Sequence, residues 1–371
     1  MSDGHPRGER LTALRDLQGL TQKDLARALV VSQSFLSQIE RGERPLPAEL
    51  AVVAASMFSL PTSFFTVADG PAGAGEFTFR KKASALMRDE RRIKALHVEA
   101  ARLFHAVSLR SGLQPAILPE PAAVDNDPEV CAELLRGQAG LSPEQPIPNM
   151  TRFVERLGVA VIHGLDDASE NVSEHTGISR PSRVNDRPLV AVVGRVPGAI
   201  QRISVGHELG HLIFDRDSAA AIRGTRSPEE ARAYRLAGAL LLPADVARRR
   251  ITESLTLHAY LRIKADYGIS VPGILRRAKD LGAISAARYR SLSIQLSSMG
   301  WRDQSAEPVP VAQEKPTLLK QAVTRVAGTR SIELAVQKWG IPPTTAARWL
   351  QTYPEPTEVT GEVIPLRSRS R

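Results

Sequence analysis

The sequence is poor in cysteine, aromatic residues and long apolar runs. It has one cysteine, Cys131, in 371 residues. That excludes an internal disulfide and any zinc site built on cysteine thiolates, and the thiol is expected to pack as a small apolar group. Phe, Trp and Tyr make up 5% of the chain while Ala, Leu and Arg are abundant, a balance that favours helices. No run reaches the ~18 apolar residues of a membrane span, and the opening MSDGHPRGERL holds no apolar signal core. The expected setting is cytoplasmic, nucleoid-associated when DNA is bound, with no membrane partner.

What is present bounds the rest. A chain of 371 residues exceeds one ordinary core and implies two or three domains. An apolar content of 42% supports globular packing, and a net charge of +9 suits a polyanionic partner. The fold class expected is mainly α with a small α+β domain.

Residues 20–47, LTQKDLARALVVSQSFLSQIERGERPLP, carry the first motif. Thr21 is a natural N-cap, because its hydroxyl accepts a free amide of the first turn. Leu25, Ala26 and Leu29 face inward at helical spacing, and Ala26 is small where a second helix must cross. Val30 and Val31 make a short turn. Ser32 caps a second helix whose Leu36 and Ile39 point to the core, and Gly42 ends it, with Pro45 beyond. That leaves Gln33, Ser34, Ser37, Gln38 and Arg41 outward. Gln pairs with adenine edges, Ser with several base edges, and the helix N-terminus offers amides to phosphate. Gln22 is placed to contact the DNA backbone and brace Gln33. The segment resembles the Cro/repressor-type (XRE) helix-turn-helix family over roughly residues 8–65, through Thr21-Gln22, Ala26, Ser32-Gln33, Ile39-Glu40 and Gly42. The resemblance implies a five-helix domain, a double-stranded DNA operator and a homodimer, since one such domain reads a half-site.

Composition and periodicity divide the chain into a helix-turn-helix domain at 7–66, a Gly/Ala/Pro linker at 67–78 and a helical connector at 79–144. The pattern changes again from 151; an α+β domain at 145–250 and a helical extension at 251–302 are what the family resemblance given below implies, and a Pro/Gln/Glu linker at 303–316, a small helical module at 317–352 and a basic tail at 353–371 follow. Residues 80–110 hold nine Lys/Arg against three Asp/Glu, beginning at Arg80, Lys81 and Lys82; this is a solvated face or an arm near the DNA backbone. Residues 158–163 and 188–193 read as buried strands, with a polar stretch between them that allows a short hairpin.

The second motif is ISVGHELGHLIF at 203–214. His207 and His211 stand four residues apart, so both rings lie on one helix face and can bind one Zn²⁺. Glu208 sits beside them, where a carboxylate can act as general base. The apolar flanks Val205, Leu209, Leu212, Ile213 and Phe214 would bury the helix. His163 and His175 are expected to be structural. With Ile147-Pro-Asn149 and Ala237-Gly-Ala-Leu-Leu-Leu-Pro243, the motif resembles the ImmA/IrrE metallopeptidase-like domain over roughly 145–250, which implies a zincin-like α+β fold. The resemblance also implies an acidic third ligand on the helix before Leu-Leu-Leu-Pro. Arg232 aligns there, with Glu229 one turn earlier and Glu230 beside it, and either glutamate can substitute. Asp215, four residues after His211, is a further candidate with strained geometry. Three uses stay open: a peptidase-competent zinc site, a zinc or degenerate sensor site, and a purely structural histidine pair.

Residues 256–301 resemble the helical extension of such regulators and carry no chemistry of their own. Residues 332–350 repeat a helix–turn–helix rhythm that fits packing or dimerisation better than a second nucleic-acid contact. The expected function is a sequence-specific DNA-binding regulator whose zinc domain senses a signal or cleaves a protein partner. A zinc endopeptidase acting on a separate repressor and an antitoxin-like component are the alternatives.

Overall fold

The computed structural model of the chain describes residues 4–68, 75–78, 87–166, 177–218, 227–303, 306–328 and 332–352. Arg80, Lys81, Lys82, His175 and the tail at 353–371 lie outside the described residues.

The N-terminal unit comprises α1 (Glu9–Gln18), α2 (Gln22–Ala28), α3 (Gln33–Glu40) and α4 (Ala48–Met57). It closes with a 3₁₀ turn at Thr62–Phe65 in place of a fifth α-helix. Thr21 and Asp24 form a reciprocal capping box at the start of α2, and the Ser32 hydroxyl accepts from the Phe35 amide at 3.1 Å. Leu25, Ala26, Leu29, Leu36 and Ile39 are buried. Between the helices Val30 adopts φ 56° and is 90% exposed, a left-handed conformation that costs a β-branched residue about 1–2 kcal/mol.

The long α5 (Met87–Ser111) leads to α6 (Pro128–Gln138) and α7 (Met150–Arg156). Strands β1 (Ala160–His163), β2 (Gly177–Ile178) and β3 (Leu189–Val192) form a sheet in the order β1-β3-β2, with β1 parallel and β2 antiparallel to β3. Of the polar stretch in which the sequence allowed a short hairpin, residues 167–176 lie outside the described residues; its described part supplies β2, which pairs antiparallel with β3. Then come α8 (Gly198–Phe214), α9 (Pro228–Leu241), α10 (Ala244–Arg250), α11 (Tyr260–Tyr267), α12 (Val271–Asp280) and α13 (Ala286–Ser298). The chain ends in α14 (Leu318–Ala327), α15 (Ile332–Ala335) and α16 (Pro343–Trp349).

The sheet divides two cores, because successive strand residues point to opposite faces. Val161, Val190 and Val192 join the core of α6–α9 and α11–α13. Ala160, Ile162, Leu189 and Ala191 join the other, which is continuous with the N-terminal helices, α5 and the C-terminal module. Val336, Trp339, Ile341, Ala346, Trp349 and Leu350 of the module at 332–350 are buried in this second core. The Ser63 hydroxyl donates to the Gln337 carbonyl, and Trp349 Nε1 donates to the Leu165 carbonyl at 3.1 Å.

Buried ionic groups among the described residues hold these parts in register. Glu99 of α5 pairs with Arg10 of α1 at 2.8 Å and with Arg102 at 2.7 Å. Arg10 also donates to the Phe64 carbonyl, and Arg102 to the Trp339 carbonyl. Burial alone would raise the Glu99 carboxyl, but the Arg102 and Arg10 guanidiniums hold it below its ordinary value. The stretch after α13, expected as a linker, is tied down where it is described. Glu307 pairs with Lys264 at 3.2 Å. Glu314 accepts from the Met150 and Thr151 amides at 2.8 and 2.6 Å and pairs with Arg202.

Two outcomes follow from these burials. Glu99→Ala leaves two guanidiniums buried without their anion, so urea denaturation should show a loss of about 3–5 kcal/mol; a loss below about 1 kcal/mol, typical of an exposed pair, would contradict this account. His97 and His163 are buried, with one ring nitrogen bonded to the Leu189 carbonyl and the Thr151 hydroxyl respectively. Desolvation lowers both from 6.5 to about 4. As pH falls the unfolded chain protonates them first, so their stabilising effect is whole above 6.5 and disappears towards 4, at about 1.4 kcal/mol per pH unit for each ring. In the His97→Gln and His163→Gln variants the pH dependence over that window should become shallower.

Candidate DNA-reading helix and metal centre

On α3 the structure exposes Gln33, Ser34 and Arg41 and leaves Ser37 and Gln38 half-buried; Thr21 and Ser32 are exposed at the two caps. Gln33 Nε2 donates to Gln22 Oε1 at 3.3 Å, and Gln22 Nε2 donates to Glu40 Oε2 at 2.8 Å. Glu40 in turn pairs with Arg15 at 2.7 Å. The amide of Gln33 is therefore oriented by a relay that reaches α1. Arg41 is engaged by Glu43 at 2.6 Å and by the Ser37 hydroxyl at 2.9 Å. Sequence inspection did not show this latch, which holds the guanidinium beside the outer face of α3.

The second site forms where α8 and α9 cross. A Cβ at Gly210 would lie 2.8 Å from Ala233 Cα, and one at Gly206 would lie 3.1 Å from Ala237 Cβ. Only glycine permits so close a backbone approach. Ala233 and Ala237 follow Glu230 at three and seven residues, so all three share the face of α9 that meets α8. Ser227 caps α9 by accepting from the Glu230 amide at 3.3 Å.

This crossing brings His207, His211 and Glu230 together with all three buried, their ligand atoms within 4.8 Å of one another. The two Nε2 atoms are 3.1 Å apart, and Glu230 oxygens lie 3.4 Å from His207 Nε2 and 3.5 Å from His211 Nε2. Tetrahedral ligands about 2.0–2.1 Å from an ion stand about 3.3 Å apart, so the donor set fits Zn²⁺. His211 Nδ1 is 2.6 Å from Asp215 Oδ2, the outer carboxylate that fixes the orientation of a ligating imidazole. Desolvation works against the charged form of His211, but Asp215 and Glu230 outweigh it and push it up to about 9. His207, where burial dominates, is lowered. Surplus carboxylate charge therefore surrounds the pair, a setting that favours a cation.

Glu229 is half-exposed and is not brought to the histidines. Arg232, aligned with the third ligand, instead pairs with Asp215. Asp215 thus stands behind His211, braced by that guanidinium. His163 is engaged with Thr151 and does not join the cluster. Tyr234, which the sequence did not single out, places its ring 4.2 Å from that of His207; its position one turn after Glu230 was the available signal. Glu208 is 2% exposed, and its Oε2 accepts from the hydroxyls of Ser179 at 2.6 Å and Thr78 at 2.7 Å.

Residues 11–65 match the family model described as helix-turn-helix, and residues 154–279 match that of the IrrE N-terminal-like domain of peptidase family M78. The chain joins an XRE-type helix-turn-helix domain to an ImmA/IrrE metallopeptidase-like domain. The second match ends within α12, beyond the 250 expected from the sequence. The HTH-type transcriptional regulator PrpR of Mycobacterium tuberculosis is 37% identical over 59 residues, which are 16% of this chain and 12% of that protein. No helix among the described residues is long and apolar enough to cross a membrane.

The geometry separates the candidate ligands experimentally. Purified full-length chain should hold stoichiometric zinc by elemental mass spectrometry. His207→Ala and Glu230→Ala should lose it, while Glu229→Ala should keep it. Equal zinc content in Glu229→Ala and Glu230→Ala preparations that both lose the metal would contradict the assignment of Glu230. Gly210→Ala, whose methyl meets Ala233, should separate the helices, lowering both thermal stability and zinc affinity even though alanine favours a helix by about 1 kcal/mol.

Proposed function

We propose that the chain is a sequence-specific DNA-binding transcriptional regulator whose ImmA/IrrE-like half binds Zn²⁺ through His207, His211 and Glu230. The observation that carries the reading is that three buried ligand atoms at tetrahedral spacing stand beside Glu208, in the same molecule as a fully capped, outward-facing recognition helix. Gln33, Ser34, Ser37, Gln38 and Arg41 would meet base edges and phosphates, with Gln22 bracing Gln33. A homodimer would engage two half-sites.

Zinc supplies a Lewis acid that polarises a carbonyl and lowers the pKa of water. The chain's own contributions are separate. Glu208 can hold a proton beside the ligand cluster, Asp215 orients His211, and the apolar α8 flanks keep bulk water out. This makes the half competent to bind and cut a peptide, or to signal when one binds. The two cores meet across one sheet, and the second is continuous with α1–α4, which supports coupling between zinc-site state and DNA occupancy. A second reading, an endopeptidase acting on a separate repressor, draws on the same Glu208 placement.

DNA recovered with the full chain supplies the operator for the test. Gln33→Ala should weaken operator binding at least fivefold, since a paired base contact contributes about 1–3 kcal/mol of discrimination, and should leave non-specific binding unchanged. An equal fall in both would remove α3 as the reading helix. Glu208→Gln should keep zinc and abolish any cleavage of a co-purified partner.

A further inference from the structure

Residues 75–78 lie between the N-terminal domain and α5 in sequence, and they pack where α5 meets the continuation of β2 and Glu208. β2 has one edge paired with β3. Beyond its end, on Ser179, the Thr78 amide donates to the Ser179 carbonyl at 3.1 Å, and the Ser179 amide donates to Thr78 Oγ1 at 3.2 Å. Arg180 Nε donates to the Gly75 carbonyl at 2.7 Å. The Phe77 ring is flanked by the Arg180 guanidinium at 4.8 Å, the Lys94 ammonium at 5.6 Å and the His97 ring at 5.5 Å. Thr78 is 3% exposed, and its hydroxyl reaches Glu208. Gly75, at φ 97°, passes so near residue 181 that a Cβ would lie 2.0 Å from the Pro181 carbonyl oxygen.

These contacts resemble the first contact of an extended peptide laid beside a sheet edge: one backbone hydrogen bond to Ser179, with one ring and one hydroxyl to set its register. Their end point is Glu208, next to His207. Glu208, both histidines and Glu230 are each 5% exposed or less, and Thr78 is among the residues that cover Glu208.

We propose that residues 75–78 are a tethered strand occupying a peptide-docking edge that runs from β2 through Ser179 to Glu208, shielding the metal half from other extended peptides. For its functional consequence the inference rests on the reading that this half takes a peptide. The occupant is the chain's own linker, held at the high effective concentration of an intramolecular ligand, so an outside peptide must displace it. Displacement would free the segment that leads to the DNA-reading domain.

The test uses the full chain and a fluorescein-labelled peptide of the linker sequence, GAGEFTFR. Phe77→Ala removes the ring contacts, and Gly75→Val forces the backbone away from Pro181. Neither touches Glu208 or the ligand cluster, and circular dichroism verifies that each variant folds. Both should bind the peptide at least tenfold more tightly than the unaltered chain, with faster hydrogen exchange at the Ser179 amide. Equal affinity in all three proteins, or no binding to any, overturns the inference. Casein hydrolysis by the zinc-loaded proteins is a separate arm. Tighter peptide binding with no hydrolysis by any variant keeps the inference and removes the proteolytic reading; hydrolysis with equal peptide affinities does the reverse. A zinc-dependent cut within residues 75–78, absent from Glu208→Gln, would make the segment a substrate and overturn its shielding role.

Discussion

The close crossing of α8 and α9 is the constraint on which the metallopeptidase-like half depends. Two glycines on one helix meet two alanines on the other, Gly210 against Ala233 and Gly206 against Ala237. A buried glutamate and two buried histidines are costly to desolvate, and they are retained only where they satisfy one another or a cation. The crossing sets that geometry: it puts Glu230, one turn before Ala233, opposite the ring pair at 3.4 and 3.5 Å. Behind the rings, Asp215 and Arg232 continue the charge relay outward, so the same close approach positions the ligands and their support.

The sheet carries this arrangement to the rest of the chain. Its strands are four residues or fewer and wholly buried, because helices cover both faces. One face belongs to the metallopeptidase-like half. The other is shared with α5, the N-terminal helices and the C-terminal module, joined by Arg10, Glu99 and Arg102. β2 touches both sides, with Ile178 in the shared core and Gly177 against Glu208, and the segment at 75–78 touches β2's continuation directly. The DNA-reading domain is thus docked onto a common body through buried ion pairs.

Much of this was legible in the sequence where local chemistry decides structure. Thr21, Ser32 and Gly42 mark the helix-turn-helix because capping and termination are local. The four-residue spacing of His207 and His211 gives one helix face by geometry alone. The third candidate ligand was legible only as a choice, because Glu229 and Glu230 both neighbour the position that Arg232 occupies. Tertiary contact brings Glu230 to the histidines, and the Ala233/Ala237 stripe facing two glycines was the signal that could have separated it from Glu229 and Arg232. The tie-down of the stretch after α13 was likewise hidden: Glu307 and Glu314 are charged residues in a Pro-containing stretch, and only their partners Lys264 and Arg202, distant in sequence, explain their burial. The role of residues 75–78 was hidden for the same reason, since a Gly-rich junction carries no local sign of where it docks.

The central claim is that the zinc-site half and the DNA-reading helix form one device. The most direct test is operator affinity of the full chain, zinc-loaded and metal-stripped, at fixed salt. Coupling of the usual size, about 1–3 kcal/mol, predicts a change of at least fivefold that disappears in Glu230→Ala. Identical affinities in the two metal states, with operator binding still dependent on Gln33, would contradict the account.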